Sequence, residues 1–189
     1  MYKQAAIGIL IFLACIACNR SYTPKPRGYL RIDFPEKQYT LFDTSYPYSF
    51  EYPVYSTVVP DTGILREPFW INIYFPSFAG TIHISYKEVN RNLNKYVEDS
   101  RNLAYKHTIK ADAIHETVYT NPERRVHGVL YDIKGNAASS LQFILTDSSS
   151  HFLRGSLYFN AVPDKDSLAP VISFFKEDIV HLMESLNWK

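Results

Sequence analysis

KGNAASSLQFILTDSSSHFLRGSLYFN, residues 134–160, is the segment that decides the fold. Apolar residues alternate with others along 141–146 and again along 152–159, which predicts two paired strands. Residues 147–150, Asp-Ser-Ser-Ser, predict the turn, because short side chains with oxygen atoms hydrogen-bond their own backbone. Apolar side chains on both faces of the first strand indicate a central position in a sheet. Gly155 predicts a bulge or a close backbone approach.

The composition is typical of one globular domain with a substantial core. The chain has 189 residues, of which 46% are hydrophobic and 21% are charged. Fifteen tyrosines and twelve phenylalanines predict strands that are rich in aromatic side chains. The formal net charge of +1 gives no strong attraction for a polyanion, so we predict no nucleic-acid partner.

The N-terminus has the parts of a bacterial export signal. Lys3 precedes an apolar run at 5–17 that is too short to cross a membrane as a helix. Because Cys18 follows this run, the pattern resembles a lipoprotein signal, and we predict a signal peptide at 1–17 and a lipid on Cys18. Cys15 is the alternative lipidation site. An uncleaved anchor and a plain secretory signal are the other interpretations.

Lipidation of Cys18 would affect both chemistry and location. Both cysteines of the chain lie in the leader, so the mature protein would have no thiol for a disulfide, a zinc site or a nucleophile. Acyl chains would hold it on a membrane of the cell envelope without a spanning helix. In lipoproteins of this kind, an acidic run after the lipidated cysteine resembles a tag for export to the cell surface. Residues 19–23 of this chain contain no acid. We therefore predict a protein that faces the periplasm.

Residues 18–28 are predicted to form a proline-rich tether, and residues 29–189 a single α+β domain. Alternating prolines give the tether a stiff, extended backbone. Besides the central hairpin, we predict strands at 29–33, 47–52, 69–75, 81–86, 111–119 and 125–133. Residues 35–45 and 56–68 are predicted to be connections.

Two segments show helical spacing of their apolar residues. The first is 90–107, with Asn90 as the predicted cap, and the second begins with Asp166 or Ser167 as its cap. The order of elements predicts an α+β fold, an antiparallel β-sheet with two helices packed on it. This order is similar to that of the Mog1/PsbP-like sandwich, and such an analogy carries no function.

No group of residues has the spacing of a catalytic or metal site. The six histidines are dispersed singly, and neither a His-Glu-x-x-His cluster nor a Gly-rich phosphate loop occurs. Asp147, residues 148–150 and His151 include the residue types of a triad, but neighbours in one turn cannot all aim at one substrate atom. We therefore predict no catalytic residues, no metal and no cofactor.

Two surfaces are candidates for binding a partner. They are the arm with Lys25, Arg27 and Arg31, and the turn region with Asp147, His151 and Arg154. Arg154 lies on an apolar strand, so it either pairs with an acid across the strands, sits at an edge, or anchors the carboxylate of a ligand or partner. The alternative for both surfaces is structural, an arm pinned to an edge strand and a tight hairpin turn.

Blocks of sequence spread in order over most of the mature chain carry a resemblance. They are PKPRGYLRIDFP (24–35), SYK (85–87), EDSR (98–101), HTIKA (107–111), GNAASS (135–140), QFILTDS (142–148), HFLRGSLYFN (151–160), DSL (166–168) and WK (188–189). Together they resemble the gliding motility lipoprotein GldD family of Bacteroidetes. The resemblance implies an envelope lipoprotein required for gliding and for the associated type IX secretion machinery. It implies no enzymatic activity and supplies no catalytic residues.

Two functional hypotheses follow. The leading one is a non-catalytic, membrane-anchored accessory protein that contacts envelope proteins of the gliding and secretion apparatus. The alternative is a periplasmic ligand-binding protein or hydrolase with a site near Asp147, His151 and Arg154. This alternative requires a concave pocket in which the three side chains converge.

Overall fold

The computed structural model describes residues 31–189. The predicted signal peptide, Cys15, Cys18, the tether, and the candidate residues Lys25 and Arg27 lie outside the described residues. Residues Asp33–Lys189 form one compact unit. This unit holds all the described strands and helices.

Ten strands and two helices follow one another along residues 31–189. The strands are β1 (Tyr39–Phe42), β2 (Tyr48–Pro53), β3 (Thr57–Pro60), β4 (Ile71–Phe75), β5 (Gly80–Glu88), β6 (Ala111–Asn121), β7 (Val126–Gly135), β8 (Leu141–Thr146), β9 (His151–Phe159) and β10 (Asn187–Trp188). The helices are α1 (Leu93–Tyr105) and α2 (Lys165–Ser185), and 3-10 turns span Pro76–Phe78 and Lys106–Ile109. Seven strands pair antiparallel in the order β3-β4-β5-β9-β8-β7-β6, while β1, β2 and β10 form a second sheet in the order β1-β2-β10.

The structure confirms the predicted central hairpin as β8 and β9, in the middle of the seven-stranded sheet. All of β8 is buried, because both of its faces are covered. Phe143 lies in the main core, which the seven-stranded sheet shares with α2 and the small sheet. On the opposite face, Ile144 packs with Val89 and Phe152 in a cluster that residues of α1 cover.

Gly155 allows the ring of a neighbouring strand to fill the core. Phe143 is the cross-strand partner of Gly155 and is fully buried. A Cβ atom at position 155 would lie 2.1 Å from the Phe143 ring, far inside contact distance. The sequence predicts a bulge or a close backbone approach at Gly155, whereas the structure has regular pairing there and the close approach of a side-chain ring.

Three short strands are not predicted by the sequence. β1 and β3 lie in the predicted connections 35–45 and 56–68, and β10 was not predicted. The predicted strand at 29–33 is wrong for residues 31–33, which form no regular structure. Pro35 disfavours continued pairing there, since it lacks an N–H and restricts the residue before it. Instead, Phe34 stacks on Phe174 of α2, with ring centroids 4.5 Å apart.

Both predicted helix caps are displaced. The cap residue of α1 is Asn92 rather than Asn90, and the Asn92 side chain accepts from the backbone N–H of Asn90. The cap of α2 is Asp164, whose carboxylate accepts from the N–H groups of Asp166 and Ser167. Asp164 is the better cap because it precedes the first turn, where free N–H groups need an acceptor.

A buried carboxylate fastens the segment that enters the domain to α2. Asp178 is 2% exposed. Its oxygens accept from Lys37 Nζ at 2.7 Å, from the Tyr39 hydroxyl at 3.0 Å and from the Tyr55 hydroxyl at 2.6 Å. This network holds the chain between Phe34 and β1 in place without regular pairing.

Candidate partner-binding site

The turn at 147–150 lies at one end of the seven-stranded sheet, which we call the turn end. Asp147 Oδ1 accepts from the backbone N–H groups of Ser149, Ser150 and His151 at 2.8–3.0 Å, and Oδ2 accepts from the Ser149 hydroxyl at 2.7 Å. Burial raises the pKa of Asp147, but these hydrogen bonds outweigh burial and hold the pKa well below its ordinary value. The carboxylate therefore closes the turn, as its local chemistry predicts.

His151 is held between two aromatic side chains. Its Nδ1 lies 2.7 Å from the Tyr86 hydroxyl, and its ring stacks on Trp188 with centroids 5.2 Å apart and planes 6° from parallel. Burial, with the charges of Glu88 and Asp147, raises the pKa of Tyr86 to about 12. The phenol therefore keeps its proton at neutral pH. The imidazole is positioned as part of an aromatic wall.

Beside this wall is an open cleft of about 220 Å³, which we call the basic cleft. It is lined by Arg124, Arg125, Asp147, His151, Trp188 and Lys189. The Arg125 side chain is 68% exposed and lies 3.7 Å from Asp147, and Lys189 Nζ lies 2.5 Å from Asp43. Arg124 donates to the backbone oxygen of Glu184 at 2.8 Å and has no carboxylate partner in residues 31–189. The cleft therefore presents positive charge next to an aromatic surface.

Arg154 does not join Asp147 and His151. It lies three residues after His151 on β9, so its side chain projects from the opposite face of the sheet. There its guanidinium donates to Gln142 Oε1 at 2.6 Å. The hydrogen-bond partner of Arg154 on the neighbouring strand is thus an amide and not the acid that the sequence suggests. The convergence of Asp147, His151 and Arg154 that a hydrolase site requires is absent from this geometry.

The sequence comparison decides the family. A model of the gliding motility lipoprotein GldD family matches residues 19–188. The chain belongs to the gliding motility lipoprotein GldD family. The resemblance seen in the sequence is therefore confirmed, and with it membership of a lipoprotein family involved in gliding motility. Among proteins with curated annotation, none matches the chain.

The structural comparison supports the predicted fold of this GldD family member. The solution structure of cyanobacterial PsbP (CyanoP) from Synechocystis sp. PCC 6803 matches with a TM-score of 0.50 and 12% identity. The match covers 88% of this chain and 99% of that one. At this identity the likeness concerns the fold alone. It confirms the α+β, PsbP-like architecture.

A second feature of the turn end in this GldD family member is an apolar loop tip. Ile64 and Leu65 are 102% and 84% exposed, in the loop between β3 and β4. The next residues of the loop border a cleft of about 370 Å³, lined by Glu67, Pro68, Phe69, Tyr86, Lys87, Glu88 and Tyr96. Tyr86 links this cleft to the basic cleft through its contact with His151. The turn end therefore carries an exposed apolar pair in addition to the basic cleft.

Most of the residues at the turn end are not predicted by the sequence as part of a site. Arg124 and Arg125 were available as an adjacent basic pair after the predicted Asn121-Pro122 turn. Ile64 and Leu65 were available as two apolar residues inside a loop marked by Pro60 and Gly63. Trp188 and Lys189 join the site only because β10 pairs with β2, which the sequence did not predict.

Metal binding and membrane spanning find no support in the described part of this GldD family chain. Across residues 31–189, no three His, Cys, Asp or Glu side chains are arranged to hold a metal ion. Within the same range, neither helix is long and apolar enough to cross a membrane.

Replacing Asp147 with asparagine is expected to lower the free energy of unfolding by about 2 kcal/mol at pH 7, because a charged acceptor of several N–H groups is lost. The folded-state pKa lies below the ordinary value near 3.9, so the stabilisation is present above about pH 4 and is lost as the pH falls further. The test is urea unfolding of the original protein and of the Asp147→Asn variant between pH 2 and 7. The free energies of unfolding of the two proteins should converge at the acid end of this range. Asp43→Asn is the control, since the Asp43 side chain is 56% exposed.

Proposed function

We propose that this protein is a non-catalytic, lipid-anchored accessory protein of the cell envelope that acts through protein–protein contacts. It serves gliding motility, together with the associated type IX secretion machinery. Cys18 carries the lipid, with Cys15 as the alternative, and the domain faces the periplasm. The family match supports this proposal and begins at residue 19, directly after Cys18.

The observation that carries the proposal is the basic cleft at the turn end, the end of the sheet that also carries the exposed pair Ile64 and Leu65. Arginine and tryptophan are enriched in protein interfaces, where they supply charge-assisted hydrogen bonds and large contact area. Both residue types line this cleft, in Arg124, Arg125 and Trp188. An acidic segment of a partner protein, flanked by an apolar residue that meets the loop tip, fits these features.

The basic cleft lies at the end of the sheet opposite to the point where the chain enters the domain. The chain enters the domain at Phe34, which stacks on Phe78 in the 3-10 turn between β4 and β5. That turn lies at the opposite end of the seven-stranded sheet, since Gly80 pairs with Phe159, whereas Glu88 pairs with His151. A nine-residue strand separates the two ends by about 27 Å. Lys25, Arg27 and Arg31, close to the entry point in sequence, are a second proposed contact.

Reversing the charge of the basic cleft tests the proposal. The double variant Arg124→Glu/Arg125→Glu is expected to abolish gliding in a complemented deletion strain, while the protein level stays the same, because an acidic partner would be repelled. The control is Lys95→Glu/Lys106→Glu, which makes the same charge change at exposed positions in α1 and the following turn. Normal gliding by the cleft variant, at normal protein level, contradicts the proposed contact.

The lipid anchor is tested in the same strain. Cys18→Ala is expected to abolish acyl labelling, membrane retention and gliding together, with Cys15→Ala as the comparison. Gliding that survives with a soluble protein would show that anchoring is dispensable. That outcome would count against an anchored accessory protein and in favour of a soluble ligand-binding protein.

A further inference from the structure

A row of polar side chains crosses the face of the seven-stranded sheet on which α1 packs. Cross-strand register places its members side by side on neighbouring strands. They are Tyr131, Gln142, Ser156, His83 and Asn72, running from β7 to β4. Gln142 and Ser156, in the middle of the row, are only 2% and 1% exposed. Such burial is uncommon for polar side chains and calls for hydrogen-bond partners.

Two atoms in the middle of this row are buried without a partner. They are Gln142 Nε2 and Ser156 Oγ. The orientation of the Gln142 amide is fixed, because a guanidinium only donates and Arg154 lies 2.6 Å from Oε1. Nε2 therefore keeps its two N–H groups unpaired, and the site has unused capacity for an acceptor.

Arg154 adds positive charge to the same place. It is half-buried on the face of β9 that carries Ser156. Its hydrogen bond to Gln142 uses one of five N–H groups, and no carboxylate pairs with it in residues 31–189. Burial, without a counter-charge, lowers the pKa of Arg154.

We propose that Arg154, Gln142 and Ser156 form a binding site for a single carboxylate. The guanidinium fork matches a planar carboxylate and donates two parallel hydrogen bonds to it. Gln142 Nε2 and Ser156 Oγ then donate to the same group once the side chains that cover them shift. Arg154 is reached first, because it is the only one of the three that is partly accessible to solvent.

Charge balance favours a carboxylate over a phosphate. The site contributes one positive charge, from Arg154, and otherwise neutral donors. A carboxylate neutralises that charge, whereas a dianionic phosphate would leave a net negative charge in a partly buried place. The carboxylate belongs either to an acidic side chain of a protein or to a small free acid. Since the basic cleft is on the opposite face, this site does not depend on the proposed function.

The test is a titration of the full chain, purified in detergent and labelled with ¹⁵N. The Arg154 Nε–H and Gln142 side-chain NH₂ signals are followed with acetate and with acetyl-Gly-Glu-Gly-amide, whose only carboxylate is a side chain. Chloride keeps the ionic strength constant. For the Arg154 and Gln142 signals we expect saturable shifts with a dissociation constant of about 1 mM. The signals of Arg101, whose side chain is 61% exposed on α1, should give a dissociation constant at least tenfold higher.

The two probes separate the possible sources of the carboxylate. Tighter binding of the tripeptide supports an acidic protein side chain, and binding of acetate alone supports a small free acid. If the Arg154 signals respond no more than those of Arg101, the row holds only water and the proposal is overturned. A stronger response to inorganic phosphate than to acetate overturns the assignment of a carboxylate.

Gln142→Glu supplies a carboxylate from within the chain and gives an independent test. The new side chain has the same shape and places an oxygen where Nε2 was unpaired, beside Arg154. We expect a higher melting temperature and loss of acetate binding in this variant. Arg154→Met should also lose acetate binding, but without the gain in stability. A Gln142→Glu protein that melts lower and still binds acetate contradicts the proposal.

Discussion

Replacing Asp178 with alanine is expected to lower the free energy of unfolding by about 3–5 kcal/mol, because it removes a buried carboxylate that accepts hydrogen bonds from a cation and two hydroxyl groups. The Lys37 ammonium donates to Asp178 at 2.7 Å and to the backbone oxygen of Phe174 at 2.7 Å. It also lies 3.3 Å from the centre of the Phe174 ring. Without Asp178, the carboxylate that remains near this ammonium in residues 31–189 is that of Glu177, which is 4.0 Å away and largely exposed.

Two tyrosines make the loss larger. Burial raises the pKa values of Tyr39 and Tyr55, and the nearby Asp178 raises them further. Both phenols therefore keep their protons and donate to the Asp178 carboxylate at neutral pH. Its removal leaves two part-buried hydroxyl groups unpaired, and such groups add to the cost.

The measurement is the free energy of unfolding in urea. The control is a variant of a neighbouring acid that contacts the same lysine. Glu177 is 72% exposed and lies 4.0 Å from Lys37, so Glu177→Ala should change the stability by less than about 1 kcal/mol. The double variant Lys37→Met/Asp178→Leu should recover much of the loss, because it removes both charges together. Equal losses for Asp178→Ala and Glu177→Ala would refute the explanation by burial.

Local pattern explains what the sequence predicts well. The hairpin of β8 and β9 is visible because its side chains report burial on both faces and its turn has its own hydrogen-bonding chemistry. The long strands and both helices are likewise determined by residues close in sequence. The turn at 147–150 forms as predicted because Asp147 satisfies three successive N–H groups by itself.

Long-range pairing explains most of what the sequence cannot predict. β1 alternates too weakly to be recognised, since its residues are half-buried or exposed, and it exists only through its pairing with β2. β10 has two residues, and its pairing with β2 brings Trp188 to His151. The basic cleft depends on this pairing, so no local pattern shows it.

Part of the candidate site could have been predicted from the sequence. Residues an odd number apart on a strand face opposite sides, so His151 and Arg154 could have been separated from the sequence alone. Asp178 lies in the apolar stripe of α2 between Phe175 and Leu182. An acid at such a position indicates a buried partner, although the sequence does not identify Lys37, which is 141 residues away.

Replacing Gly155 with alanine is expected to destabilise the protein by about 3 kcal/mol, at the upper end for an overfilled core. The added Cβ would lie 2.1 Å from the Phe143 ring, which cannot move because it is fully buried. Backbone strain does not contribute, since Gly135 is the only described glycine with a positive φ. The measurement is the free energy of unfolding in urea, with Gly63→Ala as the control in an exposed loop, expected to change it by less than about 0.5 kcal/mol.

A double-mutant cycle then assigns the cause. Phe143→Leu removes ring atoms and is destabilising by itself, because it leaves a cavity. If the clash with this ring is the cause, Gly155→Ala should cost much less in the Phe143→Leu background. The coupling energy should reach about 1–3 kcal/mol, as for residues in direct contact. Strictly additive effects would mean that glycine is needed at position 155 for a reason other than the Phe143 ring.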